Sequence, residues 1–362
     1  MLNRKNGRIL RIVSERPGAQ EVIVDVEGSE ARAVNYPALV GTVEVGDEVV
    51  LNTTAVELAL GTGGDHFVIC DLSRPPGVAE RSPGHIMKLR YTPLQAAVLS
   101  VEEDESPHRE QIQEFESLDR MPVICAELHS QIAPAAAALK ALTNYRAKVA
   151  YVMTDGAALP IGFSRLVAEL KEKGVIDTTV TCGQAFGGDI EAINLYTALI
   201  AAKQVAEADA AIVCQGPGNA GTDSKYGFSG IEQGEAINAC NILGGTPIAI
   251  VRMSFADRRE RHHGVSHHTL TVLNEIALAP ALIALPDLPE EKARTVARGL
   301  APALSKVGHQ VRTLDGGPGL AELARKDVRV TTMGRSIEED REFFLAASAA
   351  GVLAAELLGK AG

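Results

Sequence analysis

The sequence predicts a two-domain α/β protein. A small β-barrel or sandwich domain (residues 1–90) precedes a doubly wound, mostly parallel α/β sandwich (residues 91–362). Two observations support this prediction. Short β-branched runs separated by Gly, Pro, Asn and Asp fill the first 90 residues, which is typical of a small all-β domain. From about residue 94, strand-like and helix-like segments alternate, which favours a parallel sheet with helices on both faces.

Four β-branched runs predict the strands of the N-terminal domain, and the turn Gly46-Asp47 is predicted to lie between two strands. No catalytic constellation is evident here, so a lid or an oligomerisation module is the expected role. The Pro- and Gly-rich segment 73–84 is the predicted linker. The four runs are GRILRIVS (7–14), QEVIVDVEG (20–28), DEVVLNTT (47–54) and GDHFVICDL (64–72).

Nine apolar runs predict the strands of the second domain. Apolar residues at helical spacing predict helices around residues 132–142 and 166–170, the second ending at Gly174. Glu290 lies three residues after Asp287, and Glu339 lies three residues after Ser336. This capping-box spacing predicts two helix starts. The nine predicted strands are 94–101, 122–126, 148–153, 178–182, 210–214, 247–253, 281–285, 310–314 and 328–332.

Composition and charge exclude several classes of function. The net charge is −11, aromatic residues make up 4% of the chain and Trp is absent, so no nucleic-acid-binding face is expected. The five Cys form no CxxC pair and the first ten residues lack an apolar signal core, which favours a reducing cytoplasm.

The apolar stretch 343–358 is short for a membrane span and contains Glu356. It therefore predicts a buried helix or the interface helix of a homo-oligomer.

Polar, glycine-rich segments follow six of the predicted strands. In an open α/β sheet, ligands bind beyond the carboxyl ends of the strands, at the point where the strand order reverses. We therefore expect these segments to converge on a site at the carboxyl edge of the sheet. They are TDGAALP, TCGQAFGGD, CQGPGNAGT, SFADRRERHHGVSHHT, LDGGPG and TMGRS.

The segment 215–230 contains five Gly and is longer than the ~2–6 residues that a strand-to-helix connection usually takes. Its backbone N–H groups could cradle an anion together with the next helix N-terminus, and Lys225 could add positive charge. It matches neither the dinucleotide fingerprint GxGxxG nor the P-loop, which argues against hydride transfer. A structural turn is the alternative. The substrate-binding residues predicted in this segment are Gln215, Gly216, Gly218, Asn219 and Thr222.

The segment 258–269 holds four of the nine His and three Arg of an otherwise acidic chain. Arg258 and Arg261 are predicted to clamp an anionic substrate, and His267 or His268 to act as an acid–base catalyst. Ser266 is predicted to cap a helix that begins near His267. A solvated loop with an inter-subunit salt bridge is the alternative.

The same segment allows a divalent metal site. Adjacent His residues on a helix point in different directions, so each His pair is expected to supply at most one ligand. An Asp carboxylate would complete the set of metal ligands. The candidates are His262 or His263, His267 or His268, and Asp155, Asp189 or Asp315, with His263, His267 and Asp189 preferred.

Three Asp residues follow predicted strands. Asp189 comes directly after two Gly and before a helix, so it is a natural N-cap, with a general base or metal ligand as the alternative. Asp155 is a second catalytic candidate, and helix capping is the alternative for it and for Asp315. Glu191 lies two residues beyond Asp189, so the two acids are not expected to form a pair.

Nucleophilic residues give weaker patterns. Ser229 lies in GFSG, which is one residue short of the nucleophile elbow GxSxG. Cys182 and Cys214 each end a predicted strand beside a glycine-rich loop, where a thiol can be activated. Burial in the core is the more usual position of a free Cys.

Four motifs, GQAFGGDIEAINLY, QGPGNAGT, GFSGIEQGEA and RHHGVSHHT, carry a resemblance that extends over nearly the whole chain. Together they resemble an uncharacterised bacterial family, catalogued as domain of unknown function 3866. This resemblance implies no activity.

The residues themselves favour an enzyme, a hydrolase or transferase, that binds a small anionic, for instance phosphorylated, substrate at the carboxyl edge of the sheet. A divalent metal is left open as a cofactor. The alternative is a non-catalytic ligand-binding or oligomeric scaffold protein.

Overall fold

The N-terminal residues fold into a closed barrel of five strands, as predicted. The protein is described here by a computed structural model that covers residues 2–59, 64–74 and 84–360. The barrel strands are β1 (Arg4–Arg16), β2 (Ala19–Val26), β3 (Ser29–Asn35), β4 (Glu48–Asn52) and β5 (Asp65–Asp71), in the order β1-β2-β3-β5-β4. Two one-turn helices, α1 (Pro37–Val40) and α2 (Thr54–Glu57), connect them.

The barrel departs from the prediction in two places. The strand β3 was not predicted, because its sequence SEARAVN is largely polar and small. It forms as the second arm of a hairpin in which Glu27 and Gly28 both have positive φ, the backbone that tight hairpin turns require. The turn near Gly46 is present, but the residues immediately before it are not a strand. Of the predicted linker 73–84, residues 75–83 lie outside the described residues.

The second domain is built on eight parallel strands. They lie in the order β11-β10-β9-β12-β8-β13-β16-β17, and two small antiparallel pairs, β6 with β7 and β14 with β15, accompany them. The bounds are β6 (Ile86–Lys88), β7 (Ala96–Val98), β8 (Pro122–Cys125), β9 (Val149–Thr154), β10 (Thr178–Thr181), β11 (Ile190–Glu191), β12 (Ala210–Gln215), β13 (Thr246–Ile250), β14 (Met253–Ser254), β15 (Gly264–Val265), β16 (Leu282–Pro286) and β17 (Gln310–Leu314).

Helices cover both faces of this sheet, which confirms the doubly wound prediction. One hydrophobic core includes α4, α5, α10 and α11, and a second core on the opposite face includes α6, α7 and α9. The helices of this domain are α3 (Arg109–Gln113), α4 (Ile132–Leu142), α5 (Arg165–Glu172), α6 (Leu195–Gln204), α7 (Glu232–Ile242), α8 (His267–Thr271), α9 (Glu290–Leu304), α10 (Gly317–Arg325) and α11 (Arg341–Lys360).

The strand order reverses between β8 and β12. The neighbouring strands β8 and β12 lead into α4 and α7, which pack on opposite faces of the sheet. Their following loops therefore separate and leave a crevice at the carboxyl edge, which is where α/β proteins of this type bind ligands.

The C-terminal helix α11 packs within the core. Its segment Arg341–Gly359 is long and apolar enough to cross a membrane, with a mean hydropathy of 1.5, but 61% of that window is buried inside the protein. Phe343, Phe344 and Leu353 belong to the core that α11 shares with α4. The buried position agrees with the predicted buried helix and explains the apolar composition without a membrane.

Several predicted elements are wrong. Residues 94–101 contribute only β7, outside the main sheet, and residues 328–332 form no strand, although Val328 and Val330 are buried in the core. Ser100 reaches the main sheet only through an isolated bridge to Glu191 of β11. Thr332 exchanges backbone hydrogen bonds with Arg335 in a local turn, so neither run extends the sheet. The helix α9 follows Pro289 without a side-chain cap from Asp287. Ser336 and Glu339 exchange capping-box hydrogen bonds, but α11 begins only afterwards.

Candidate functional site

Four polar side chains meet at the crevice between β8 and β12. Glu127 follows β8, Gln215 ends β12, Thr154 ends β9 and Arg252 follows β13. The strands β9, β12, β8 and β13 are neighbours in the sheet, so their carboxyl ends lie side by side. Gln215 joins the two central strands, because its Nε2 donates to the backbone oxygen of Glu127 at 3.1 Å.

A buried cluster of charges forms around Glu127. Its Oε1 lies 2.7 Å from Nη1 of Arg252 and 2.7 Å from Nδ1 of His268, and all three residues are buried. Burial acts to raise the pKa of Glu127, but Arg252 and His268 outweigh it and hold the pKa below the usual range. Glu127 is therefore a carboxylate. Nδ1 of His268 also lies 3.0 Å from Nη1 of Arg252, which can only donate. The contact with the carboxylate is the shorter one, and a carboxylate only accepts hydrogen bonds, so we assign the proton of His268 to Nδ1.

Three imidazoles gather beside this cluster. One nitrogen from each of His262, His267 and His268 lies within 4.8 Å of the others. Nε2 of His267 and Nε2 of His268 are buried and have no hydrogen-bond partner in the described part of the chain. Nδ1 of His262 is 2.8 Å from Oγ of Ser266. The ring of Phe228 stacks on the ring of His268 with centroids 3.8 Å apart, which fixes its plane. We call these three residues the histidine cluster.

The local sequence explains how the histidine cluster forms. The pair β14–β15 closes the loop that contains His262, and Gly264 takes a φ of 71° at this point. Ser266 then caps α8, its side chain accepting from the backbone N of His268, as predicted. The rings of His267 and His268 lie 4.4 Å apart at the first turn of α8, although each His pair was predicted to supply at most one metal ligand.

Two residues of the histidine cluster are held neutral. Burial, followed by the charge of Arg252, lowers the pKa of His262 to about 3. Burial, followed by the charge of His268, also lowers the pKa of His267. Each ring therefore has a free electron pair on one nitrogen at neutral pH. That is the protonation state that a metal ligand or a general base requires.

The lowered pKa of His262 predicts that the protein loses stability in mild acid. His262 has a pKa of about 3 when folded, against the ordinary value of 6.5, so the unfolded chain binds the extra proton first. The contribution of neutral His262 to the free energy of unfolding is complete above pH 6.5 and is lost as the pH falls from 6.5 towards 3. Urea unfolding at pH 7.5, 6.5 and 5.5 with a chelator should show this fall in the free energy of unfolding with pH. His262→Asn should flatten it and His263→Asn should not; equal slopes in wild type and His262→Asn would contradict the prediction.

The glycine-rich segment 215–230 forms a wall of the same crevice. Oδ1 of Asn219 accepts hydrogen bonds from Nε2 of Gln215 at 2.8 Å, Oγ of Ser229 at 2.8 Å and the backbone N of Gly230 at 3.0 Å. A methyl group on Gly221 would lie 3.4 Å from Cε1 of His268. The segment therefore packs on the histidine cluster, and the Asn219 oxygen and Gln215 nitrogen hold the loop.

The other residues predicted in this segment have local structural roles. A methyl group on Gly216 would lie 2.4 Å from the backbone oxygen of Ala158, so glycine is required by this close approach. Thr222 bonds within its own exposed turn, and Lys225 pairs with Glu275 at 2.7 Å. Gly218 instead lines a separate cleft, which is described below.

The three predicted Asp residues lie outside the histidine cluster. Asp189 does not cap a helix, because α6 begins after Asn194, which is its N-cap. It accepts from the backbone N of Thr179 at 2.7 Å and pairs with Lys171, at the amino end of β11 and so away from the carboxyl edge. Asp155 accepts from the backbone N of Gln184 at 2.8 Å, and Asp315 from that of Gly317 at 2.7 Å.

The remaining predicted residues divide between surface and core. Arg258, Arg261 and His263 are exposed, and His263 makes an edge contact with the ring of Phe255 rather than joining the histidine cluster. Cys182 and Cys214 are buried. Burial raises the pKa of Cys182 to about 12 and that of Cys214 well above its ordinary value. Both therefore belong to the core.

Sequence analysis missed Glu127, Arg252, Phe228 and Glu232. A signal was present for two of them, because Glu127 directly follows the apolar run PVICA and Arg252 interrupts the apolar run IAIVRM. A charged residue at the end of a buried strand is unlike the usual surface position of Glu and Arg. Their pairing joins residues 125 positions apart in the chain.

A cleft of about 700 Å³ lies between the barrel and the second domain. Tyr36, Phe67 and Phe163 supply aromatic rings to it, and Gly218 extends into its lining from the glycine-rich segment. Three arginines share two acids here: Arg16 and Arg165 bond to Glu21, and Arg32 bonds to Asp65 at 3.1 Å. The cleft therefore combines an apolar wall with surplus positive charge.

The cleft lies close to the histidine cluster. Gly218 lines the cleft and Gly221 packs on His268. Since these two glycines are three residues apart, at most ~11 Å of chain separates the cleft from the histidine cluster.

Comparison with known proteins gives one family. The family model described as Protein of unknown function (DUF3866) matches residues 32–351. No curated protein and no solved structure shows a significant match to the chain.

Proposed function

The chain belongs to the DUF3866 family of proteins of unknown function, and we propose that it is a metal-dependent enzyme, a hydrolase or group transferase, whose ion is bound by His262, His267 and His268. The observation that carries this proposal is the histidine cluster, whose two buried Nε2 atoms have no hydrogen-bond partner among the residues that the structure describes. The substrate proposed is a small organic anion.

The ligand set favours zinc. Three imidazoles with a fourth position left for water are a recurrent catalytic zinc site. A metal-binding His usually donates its other N–H to a carboxylate or carbonyl group. Glu127 accepts from Nδ1 of His268 in this way. A bound ion of this type lowers the pKa of its water ligand to about 7 and so supplies a nucleophile at neutral pH.

Positive charge near the histidine cluster supports an anionic substrate. The exposed residues Arg258 and Arg261 lie on the same loop, and the charge of Arg261 reaches His267. The arginines of the cleft add to this field on the other side of the glycine-rich segment. Like-signed charge around a concave site raises the local concentration of oppositely charged substrates.

The metal content of the purified protein tests this function. We expect about one zinc per chain by inductively coupled plasma mass spectrometry, and a fall of at least tenfold in zinc affinity for His268→Ala. His263→Ala is the matched control, because His263 is an exposed His of the same loop. If His263→Ala and His268→Ala lose zinc equally, or neither loses it, the histidine cluster is not the metal site.

The cleft favours a second candidate function, the binding of a ligand without catalysis. A cleft of about 700 Å³ is within the usual range for small-molecule sites. Phosphatase and esterase screens with the zinc-loaded protein separate the two functions, because only the enzyme would turn over a substrate in a His268-dependent way.

We further propose a cytoplasmic location and a homo-oligomeric assembly. Four of the five free Cys are buried and unpaired, which agrees with a reducing compartment. Native mass spectrometry of the purified chain tests the assembly, since a single monomer mass at micromolar concentration contradicts it.

A further inference from the structure

A second, smaller cavity borders Glu127, and the residues that line it in the described part of the chain include none of the histidine cluster. Its volume is about 10 Å³, which is enough for one water-sized occupant. The polar side chains that line it are Glu127, Thr154, Gln215, Glu232 and Gln233. We call it the oxygen cavity, because of the atoms that remain unpaired there.

The two glutamines of the oxygen cavity offer only oxygen to it. Nε2 of Gln233 donates to the backbone oxygens of Cys125 and Ile250, both at 2.8 Å. Nε2 of Gln215 donates to Asn219 and to the backbone of Glu127. Carbonyl oxygens only accept, so neither amide can be turned around. Oε1 of each glutamine is left buried and without a donor among the described residues.

The two carboxylates add further acceptors. Oε2 of Glu127 is also buried without a partner in the described chain. Thr154 donates its hydroxyl hydrogen to Oε2 of Glu232, so this hydroxyl has no second hydrogen to give. A methyl group on Gly156 would lie 2.6 Å from Oε1 of Glu232 and 2.8 Å from Oε1 of Gln215, so these two oxygens approach the same point. Buried acceptors without donors are costly.

One negative charge at the oxygen cavity is unbalanced. The charge of Glu127 is matched by Arg252 at 2.7 Å. Burial raises the pKa of Glu232 to about 7, so Glu232 is mainly a carboxylate only above neutral pH. It makes no ion pair among the described residues, and its charged neighbours are Asp155 and Glu235. At pH 8 the occupant that the cavity lacks is therefore a single positive charge without hydrogen-bond acceptors of its own.

We propose that the oxygen cavity binds one dehydrated alkali cation, potassium or sodium, through Glu127, Gln215, Glu232 and Gln233. A water molecule fits the space but can donate only two hydrogen bonds and brings no charge. Magnesium retains several of its waters when it binds, and there is no room for them. The site is separate from the histidine cluster and does not rest on metal binding there.

Thermal unfolding of the full chain in different chloride salts tests this site. At pH 8 and constant ionic strength, we compare potassium, sodium and tetramethylammonium, which is too large to enter. Potassium or sodium should raise Tm by about 4 °C at a hundredfold excess over the dissociation constant, and tetramethylammonium should not. Identical Tm values in all three salts would overturn the proposal.

Glu232→Gln provides the matched variant. Its amide has nearly the volume of the carboxylate, removes the unbalanced charge and places an N–H donor in the oxygen cavity. We expect the salt-specific rise in Tm to disappear in this variant and to persist in Glu235→Gln, which changes an exposed acid of the same helix. A rise that persists in Glu232→Gln contradicts the site.

A crystal grown with rubidium covers the case in which Glu232→Gln does not fold. An anomalous peak among Glu127, Gln215 and Gln233 supports the cation site, and its absence from an ordered cavity overturns it. Because neither experiment uses zinc or turnover, failure here leaves the proposed enzyme function untouched. Loss of zinc from the histidine cluster likewise leaves the cation site standing.

Discussion

Replacement of Glu127 by alanine is expected to lower the free energy of unfolding by ~3–5 kcal/mol, the usual cost of removing one partner from a buried ion pair. Arg252 is only 4% exposed and would lose its carboxylate partner without gaining water. The expected loss is measured by urea denaturation at pH 7.5. A loss below ~1 kcal/mol, the range of exposed ion pairs, would show that the charges are not buried as described.

A double variant separates the cost of the orphaned charge from the cost of lost packing. In Glu127→Leu with Arg252→Met, both charges are gone and the apolar volume is largely kept. Replacing a whole buried pair with apolar side chains is often neutral for stability, so the double variant should be more stable than Glu127→Ala. It should nevertheless lose zinc, because the Nδ1–H of His268 no longer has its acceptor.

The same carboxylate makes a defined contribution to stability in acid. The pKa of Glu127 is held below its ordinary value of 4.5 by Arg252 and His268, against the effect of burial. The contribution of this carboxylate to the free energy of unfolding is therefore complete above about pH 4.5. It is lost as the pH falls through the lowered pKa of the folded state. Acid unfolding below pH 4.5 should be less steep in the double variant than in wild type.

The position of the site could be predicted from the sequence, because it depends on patterns that repeat along the chain. Strand and helix alternate, and polar loops follow the strands, so the carboxyl edge was the expected location. The structure brings the segments after β8, β9, β12 and β13 together there. His268 and Gln215 were predicted site residues, and both lie at this crevice.

The chemistry could not be predicted in the same way, because it depends on which strands become neighbours. Glu127 and Arg252 follow two strands that are adjacent in the sheet but far apart in the chain. Asp189 fits the local pattern of an N-cap, yet Lys171 and Thr179, brought close by folding, bind its carboxylate. The local pattern therefore predicted an N-cap at Asp189 that the folded structure does not form.

The packing of α4 against α11 also supports the site. Gln131, at the start of α4, accepts hydrogen bonds from the backbone N atoms of Glu127 at 2.9 Å and Leu128 at 3.0 Å. The position of α4 therefore sets the position of Glu127. Among the buried residues of α4 are Ala135 and Ala138, on which Gly351 of α11 packs, and these small residues allow the two helices to approach closely.

Gly351→Ala is expected to have the second largest effect, a loss of about 3 kcal/mol, at the upper end of the range for overpacking. A methyl group on Gly351 would lie 2.0 Å from the backbone oxygen of Ala135 and 2.9 Å from Cβ of Ala138. Backbone atoms cannot rotate away as a side chain does, so α4 and α11 must separate. Urea denaturation measures the loss, and zinc affinity should fall with it because Gln131 at the start of α4 holds the backbone of Glu127.

Gly359→Ala is the matched control on the same helix. Its added methyl group would have nothing within 4 Å, so the change removes only the flexibility of glycine in a helix and should be neutral or stabilise by up to ~1 kcal/mol. The difference between the two variants isolates the close approach of α4 from helix propensity. If Gly351→Ala is as stable as Gly359→Ala, then α4 and α11 do not pack at this distance. The inference that the packing of α4 on α11 positions Glu127 would then be wrong as well.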